Sequence, residues 1–595
     1  MIYDVWEQIF SASGHYTQTA IDTVIRSLCY FRNLMAIMVA ASRNRGCVAG
    51  FDTAATQSCH SLKQPEERPV TDAMAPGLIT ALQKPELFDH PVSNFQVLET
   101  HISQVLLTGD YAYKIKKPVD FGFLDFSTLE RRRHFCEEEV RLNRRLAEAL
   151  YLDVVAITGS PEEPVPGGSG EAFEYAVRMR QFPQDQLFDG LQESSRLTPD
   201  LLDDLARQVA GFHDQLPPIA DDRPLGTPDA VIAAMQENFD QIRPLLDDAE
   251  LLTQLSALEE WTTCTFERQQ DLIQHRRQAG YVRECHGDLH LANITVFEGQ
   301  VTVFDCIEFS EPFRWIDVIN DLAFLLMDLE SRREYGLASH TLNRYLEWRD
   351  DFDGLALLPL YKAYRAMVRA KIALFTMANP SLSDQDRAGL LQRYRDYANL
   401  AESYSAIPNC CLLATSGLSA SGKSTISHTL ACELGLIRLR SDVERKRLAG
   451  LGPLDSSHSG VGEDLYSEAM TVKTYQRLAD LSAQLLAAGF SVIVDAACLK
   501  RAERQMLDDI AEARGVPFAL IHCEAPEATR RSWIRSRNHD ASEATEALLT
   551  EQQQWEEPLT EQEKTHTIHV HTDQPRVAGE LAQRIRGHLG LGENT

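Results

Sequence analysis

A chain of 595 residues exceeds what one hydrophobic core supports and is expected to divide into roughly two to four domains. Its 58 basic and 87 acidic residues leave a formal charge of −29, which disfavours bulk binding of nucleic acid or an anionic membrane surface. A hydrophobic fraction of 44% excludes a disordered chain, and 12 scattered cysteines without a C-x-x-C pair exclude a secreted disulfide framework, so reduced thiols in a cytoplasm are the expected setting.

The first 75 residues are mixed in character, carry three of the cysteines and end in a polar QPEERPVTD stretch. They read as an extension, or as sequence upstream of a natural start at Met74. Their most apolar stretch, NLMAIMVAA at 33–41, is too short to span a bilayer. Residues 76–405 form the next expected unit. From about 95 to 182 short apolar runs alternate with turn signals such as Gly109-Asp110, predicting a mainly antiparallel lobe with a single long helix over Leu129–Leu150. Residues 197–280 read as helical, 284–308 as loop, strand, turn and strand, and 315–405 again as helical. After Pro408 a buried strand, CLLATSGL, opens a third unit, 406–595, in which helices and strands alternate as in an α/β domain with a mainly parallel sheet.

The middle unit carries His286-Gly-Asp288-Leu-His-Leu-Ala-Asn293, followed twelve residues later by Asp305. That is the spacing of a kinase catalytic loop and its metal-binding aspartate. Asp288 is the candidate acceptor of a hydroxyl proton, and Asn293 and Asp305 are the candidate magnesium ligands. His286 and His290 read as supports of the loop. Tyr111-Ala-Tyr-Lys114 lies where kinases place the strand lysine that meets ATP phosphates, with Lys116 on the same face as the alternative. Glu139 is its candidate partner on the long helix, with Glu138 as runner-up. The form HGDLHLAN resembles aminoglycoside phosphotransferases and their choline-kinase-like relatives across about 95–400, and the lack of a full G-x-G-x-x-G fits them better than protein kinases. The resemblance implies a two-lobed α+β protein-kinase-like domain. It also implies that Asp321 braces the catalytic loop.

In the last unit, Gly417, four residues and Gly422-Lys423-Ser424 match the Walker A spacing between an apolar strand and a helix. Glycines there let backbone amides converge on phosphate oxygens, so Gly417, Ser419, Ala420, Ser421, Gly422, Lys423, Ser424 and Thr425 are the candidate ATP contacts, with the Ser424 hydroxyl on magnesium. SVIVD places Asp495 at a strand end, where a magnesium-side carboxylate belongs. No glutamate follows Asp495, which favours transfer to an acceptor over bare hydrolysis. Asp442 and Arg445 form a D-x-x-R pair at a helix start; a Ser441 cap with an i, i+3 ion pair is the alternative reading. Arg531, Arg535 and Arg537 follow another strand and read either as a lid over ATP or as a solvated basic face. HTIHVH at 566–571 reads as a final strand rather than a metal site. Residues 409–590 resemble the P-loop kinase group that includes gluconate kinase, zeta toxins and the kinase half of polynucleotide kinase. The resemblance gives acceptor positioning to Asp442 and Arg445 and an ATP lid to Arg535.

Together these features predict two phosphotransfer units in one chain, a combination that resembles bacterial fusions of an aminoglycoside phosphotransferase-like domain with an ATP-binding kinase domain. Both units are expected to use ATP and Mg2+ and a small-molecule hydroxyl acceptor, without nucleic acid or membrane. The competing expectations are a single active P-loop kinase regulated by a non-catalytic kinase-like domain, and a polynucleotide-end kinase or ATPase.

Overall fold

The computed structural model describes residues 77–589, apart from 101, 123, 381, 407–408, 457–463, 537–541, 543–545 and 575–576. The expected extension at 1–75, Met74, Pro408 and Arg537 lie outside the described residues.

In the first lobe, β1 (Gln96–Glu99), β2 (Ser103–Leu107), β3 (Tyr111–Lys116), β4 (Tyr151–Gly159), β5 (Pro164–Pro166) and β6 (Glu174–Arg180) form one sheet in the order β1-β2-β3-β6-β4-β5. Every pairing in it is antiparallel. Gly109 turns β2 into β3 at φ 108°, and a Cβ there would fall 2.3 Å from Ser93 Oγ, so the turn needs glycine. The helix Leu129–Ala147 starts where the Thr128 hydroxyl accepts from the Arg131 amide at 3.3 Å, and it ends short of Leu150 because Tyr151 already opens β4. Cys136, Val140 and Ala147 pack from it onto Val177 and Met179 of the sheet. β5 lies within the turn-rich stretch SPEEPVPGGSG at 160–170. Its prolines are tolerated because it is an edge strand.

The second lobe is mostly helical, with Pro199–Gln215, Ala249–Gln278, Val318–Ser331, Tyr335–Arg349, Leu358–Met377 and Asp384–Ser403 as its long members. Val318–Ser331 is buried on nearly every side and runs through the core, with Asn320, Asp321 and Asp328 as its buried polar residues. Two short antiparallel pairs cross this lobe. β7 (Val282–Glu284) pairs with β10 (Trp315–Asp317), and β8 (Ile294–Phe297) forms a hairpin with β9 (Gln300–Val303). β10 replaces the helix expected from Trp315. Glu298 and Gly299, at φ 49° and 78°, supply the two positive angles that a two-residue hairpin turn requires.

Arg276 is fully buried, and its guanidinium meets Asp317 at 2.7 and 2.9 Å and Asp351 at 2.6 and 2.8 Å. Removing it would strand two carboxylates in the core. Arg276→Ala is therefore expected to destabilise the chain by about 3–5 kcal/mol, read as a lowered urea midpoint.

The last domain is built on β11 (Leu412–Ser416), β12 (Ile437–Arg440), β13 (Val492–Asp495), β14 (Phe518–Glu524) and β15 (Thr567–His571), in the order β12-β13-β11-β14-β15. All four pairings are parallel, and β11 is buried along its whole length between helical layers. The HTIHVH segment is the outer strand β15, with Ile568 and Val570 inward and His569 and His571 exposed. The chain is thus a two-lobed, kinase-like α+β domain followed by an α/β domain with an all-parallel sheet. The Tyr335–Arg349 helix of the former lies on the Lys423–Leu434 helix and β12 of the latter, with Leu342 and Leu346 sharing one apolar cluster with Ile437 and Leu439. Among the described residues no helix is long and apolar enough to cross a membrane, and every cysteine is free.

Candidate functional site

Alternation along β3 turns Lys114 and Lys116 to the same side, where Glu139 receives both. Lys114 Nζ lies 2.8 Å from Glu139 Oε1 and 2.7 Å from Asp305 Oδ1; Lys116 Nζ lies 2.6 Å from Glu139 Oε2 and also pairs with Glu308. Glu138 faces away, toward Arg141 and Arg314. Lys116 has no exposed side-chain surface, while Lys114 retains 14% and faces the cleft. Burial opposes the Lys114 ammonium, but Asp305 and Glu139 outweigh it and hold its pKa well above the usual lysine value. Burial instead raises the Glu308 carboxyl.

The two lysines should therefore separate in mutation. Lys116→Met leaves Glu139 and Glu308 buried without that cation and is expected to cost about 3–5 kcal/mol of stability. Lys114→Met leaves the Lys116–Glu139 pair intact, so nucleotide affinity should fall while the stability loss stays smaller than that of Lys116→Met. Urea unfolding and nucleotide titration of both variants check this division.

The loop from β7 to β8 is pinned from below. Asp321, in the first turn of Val318–Ser331, accepts the His286 and Gly287 amides at 3.0 and 2.8 Å and contacts His213 Nε2 at 3.2 Å. Gly287 sits at φ 85°, and a Cβ there would fall 2.8 Å from the Phe313 carbonyl. His286 Nε2 reaches the Phe304 carbonyl at 2.9 Å, and the Phe304 amide donates to the Asn293 carbonyl at 3.0 Å, which brings Asp305 beside the loop. Burial lowers the pKa values of His213, His286 and His290, favouring neutral rings.

Asn293 Nδ2 donates to the Asp288 carbonyl at 3.0 Å and to Asp288 Oδ2 at 3.1 Å, and His290 Nε2 lies 3.3 Å from the same oxygen. The other oxygen, Asp288 Oδ1, is buried with no hydrogen-bond partner. Asp305 adopts φ 61°, and its amide donates to the Tyr151 hydroxyl at 3.3 Å. The structure thus brings Asp288, Asn293, Asp305, Lys114 and Glu139 together. The Asp305 carboxylate and the Asn293 side-chain oxygen are hard donors of the kind that fits a cation such as Mg2+, and Asp288 Oδ1 stays apart from them as an unclaimed proton acceptor.

In the second domain the loop after β11 sits where the strand order reverses, at the carboxyl ends of the sheet. Gly417 (φ 130°) and Gly422 (φ 81°) are fixed by space as well as angle: Cβ atoms there would lie 2.3 Å from the Cys523 carbonyl and 2.8 Å from Thr572 Cβ. Lys423 opens the following helix and turns its Nζ back onto the Gly417 and Leu418 carbonyls at 2.9 and 2.8 Å; burial lowers its pKa. Ser424 Oγ donates to Asp495 Oδ1 at 3.4 Å, and Asp495 Oδ2 is buried without a hydrogen-bond partner, a donor set that again fits Mg2+. Ser421 Oγ is likewise buried and unpartnered.

A cavity of about 1130 Å³ opens beside this loop, lined by Ser419, Ala420, Gly422 and Lys423 through Thr425, and by Asp442, Arg445 and Asp495. Its volume lies slightly above the usual range for a small-molecule site. Asp442 Oδ1 lies 3.0 Å from Arg445 Nη1 at its wall. The alternative of a Ser441 cap is corrected: Arg440 is the N-cap residue, without a side-chain cap, and Ser441 is already helical. Arg535 is not brought into the cavity. It is exposed near the end of the Glu527–Ser536 helix, and Trp533 of that helix lines the wall instead.

Tyr466, Glu503, Trp555 and Gln552 also line the cavity and were not singled out from the sequence. They come from three separate elements, Gln552 and Trp555 sharing the Glu546–Trp555 helix, and follow no motif spacing. Gln552 Oε1 accepts the Ser419 amide at 2.7 Å, placing a protein oxygen on the glycine-rich loop. Arg445 lies 5.1 Å from the Tyr466 ring, and burial raises the Glu503 carboxyl.

Comparison with known proteins finds a family match in each half of the chain. Residues 123–358 match the model of the phosphotransferase enzyme family, and residues 412–559 match the model of an AAA domain. The uncharacterized proteins Rv2004c of Mycobacterium tuberculosis and Mb2027c of Mycobacterium bovis are each 29% identical to the chain over 484 residues, covering 78% of it and 92% of their own length. Among solved structures, a choline/ethanolamine kinase family protein from Mesorhizobium loti is 13% identical, covers 55% of this chain and 97% of its own, and has a TM-score of 0.35. A sugar kinase from Janibacter sp. HTCC2649 is 22% identical over 31% of this chain and 96% of its own, with a TM-score of 0.24. The chain joins a phosphotransferase-family domain to a P-loop kinase-like domain.

Proposed function

We propose that the protein is a bifunctional phosphotransferase that uses Mg-ATP at two sites and delivers the γ-phosphoryl group to hydroxyl groups of small molecules. The observation that carries this reading is the buried, unpartnered Asp288 Oδ1, a proton acceptor held ready beside Asn293 and Asp305. In the first site Lys114, fixed by Glu139, would hold ATP phosphates. Asp288 would take the acceptor's proton as the new oxygen–phosphorus bond forms and the bond to the departing ADP breaks. Asn293 and Asp305 would hold the Mg2+, which when bound neutralises charge on the phosphates.

In the second site the amides from Ser419 to Thr425 and the Lys423 ammonium would cradle the phosphates. Asp442 would accept the acceptor proton while Arg445 orients the acceptor, and Ser424 and Asp495 would hold the metal. The free cysteines fit a reducing, cytoplasmic setting.

A second reading keeps only the P-loop kinase and makes the first domain its non-catalytic regulator. The observation that favours it is the Lys114 ammonium seated on Asp305 at 2.7 Å, which neutralises a proposed metal ligand. Transfer from γ-labelled ATP to a panel of sugars, aminoglycosides, nucleosides and oligonucleotide ends, using the intact chain, Asp288→Asn and Lys423→Ala, separates the two. If Asp288→Asn leaves every transfer unchanged, the two-kinase reading fails and the regulator reading stands.

A further inference from the structure

The two domains meet at a contact that reaches the P-loop site itself. β12 is an edge strand, and the side chain of Asn343, from the Tyr335–Arg349 helix of the kinase-like domain, is bonded to its backbone: Asn343 Nδ2 donates to the Leu436 carbonyl at 2.9 Å, and the Arg438 amide donates to Asn343 Oδ1 at 2.7 Å. Arg447 answers from the other side, donating to the Leu346 and Glu347 carbonyls at the end of that helix, each at 2.9 Å. The docking is fixed in register by backbone groups on both partners.

This docking carries a charge into the second site. Arg438 and Arg440 stand two residues apart on β12, and both are buried. Each guanidinium lies between two carboxylates: Glu347 of the kinase-like domain, at 3.4 Å from Arg438 and 3.6 Å from Arg440, and Asp495 of the P-loop domain, at 3.9 and 3.8 Å. Glu347 is only 5% exposed, and Arg344 of its own helix also pairs with it. Two buried cations side by side repel each other and draw on any nearby anion. Without Glu347 the pair would lean on Asp495, the carboxylate whose Oδ2 is otherwise unclaimed by a hydrogen bond.

We infer that Glu347 is a positioning residue for the P-loop site, donated by the kinase-like domain: it takes up the charge of Arg438 and Arg440 and so leaves Asp495 free to face the magnesium ion of bound Mg-ATP. The inference rests on the reading of Gly417–Thr425 as a nucleotide site. It makes the second site complete only when the first domain is docked upon it.

The test is binding rather than turnover. A fluorescent ATP analogue is titrated against the intact chain with Mg2+ and with excess EDTA, and only the binding abolished by Lys423→Ala is counted. Glu347→Gln, which keeps the shape and removes the charge, is expected to weaken the Mg2+-dependent binding tenfold or more, the size typical of losing a group that orients a metal ligand, with binding in EDTA within about twofold. Asn343→Ala removes one side chain's bonds to β12 while the Arg447 bonds and the shared apolar cluster keep the domains docked and Glu347 in place, so it should change the Mg2+-dependent binding less than about threefold. The double variant Glu347→Gln/Arg438→Met, in which the buried charges balance again, should recover most of the loss. Unchanged Mg2+ dependence in Glu347→Gln, an equal loss in Asn343→Ala or in EDTA, or no recovery in the double variant would each overturn the assignment. No Lys423-dependent binding in the unaltered chain would overturn the nucleotide-site reading along with it.

Discussion

Lys423→Ala is expected to abolish nucleotide-dependent transfer at the P-loop site while leaving the fold unchanged. The ammonium occupies no apolar core position; it is folded back onto two carbonyls of its own loop, Gly417 and Leu418, a place that an incoming phosphate would compete for. Burial lowers the pKa of that ammonium, so the site holds a cation that is short of solvation and gains from an anionic partner. A preorganised donor aimed at developing phosphoryl charge contributes about 3–4 kcal/mol, so the rate at this site should fall by about 10²–10³-fold. Urea unfolding should shift by less than about 1 kcal/mol. A variant that transfers phosphate normally from this site would remove the lysine from the mechanism.

The second large effect is expected at Asp288. Asn is nearly isosteric, and Asn293 Nδ2 keeps its bond to the residue 288 carbonyl at 3.0 Å, so the loop should hold its shape. What is lost is a proton acceptor at Oδ1. General-base contributions of this kind are worth about 10²–10⁴-fold, and the loss should appear in kcat at the kinase-like site with little change in nucleotide affinity. Transfer that depends on Lys423 should persist. Steady-state kinetics on acceptors assigned to each site would separate the two outcomes, and a loss shared equally by both sites would speak for one catalytic unit instead of two.

The parts legible in the sequence were those fixed by local rules. The Gly417–Thr425 loop is bounded by two glycines whose angles and surroundings admit no side chain, so its spacing is written into the chain itself. The hairpin that brings Asp305 back toward Asn293 announces itself through Gly299 and the alternating residues on either side. What local rules left open was decided by packing. Lys114 and Lys116 share one face of β3, and only the burial of Lys116 between Glu139 and Glu308 tells them apart. β5 and β10 span three residues each, too few for a period to register, and they exist because a neighbouring strand offers an edge. Glu347 and Asn343 belong to a helix with no motif, and their role depends on a sheet that lies about ninety residues further along the chain. Arg535, to which the resemblance gives a lid role, lies exposed near the helix end, and Trp533 of the same helix lines the cavity.

The prolines of β5 have a consequence for how the molecule comes to be made. With Pro164 and Pro166 in it, β5, one of the two edge strands of the first sheet among the described residues, presents no amide at either end, and only Val165 between them keeps one. An open rim is where a nascent sheet recruits strands from neighbouring copies. This edge of the sheet is therefore a poor template for aggregation while the chain is still being made.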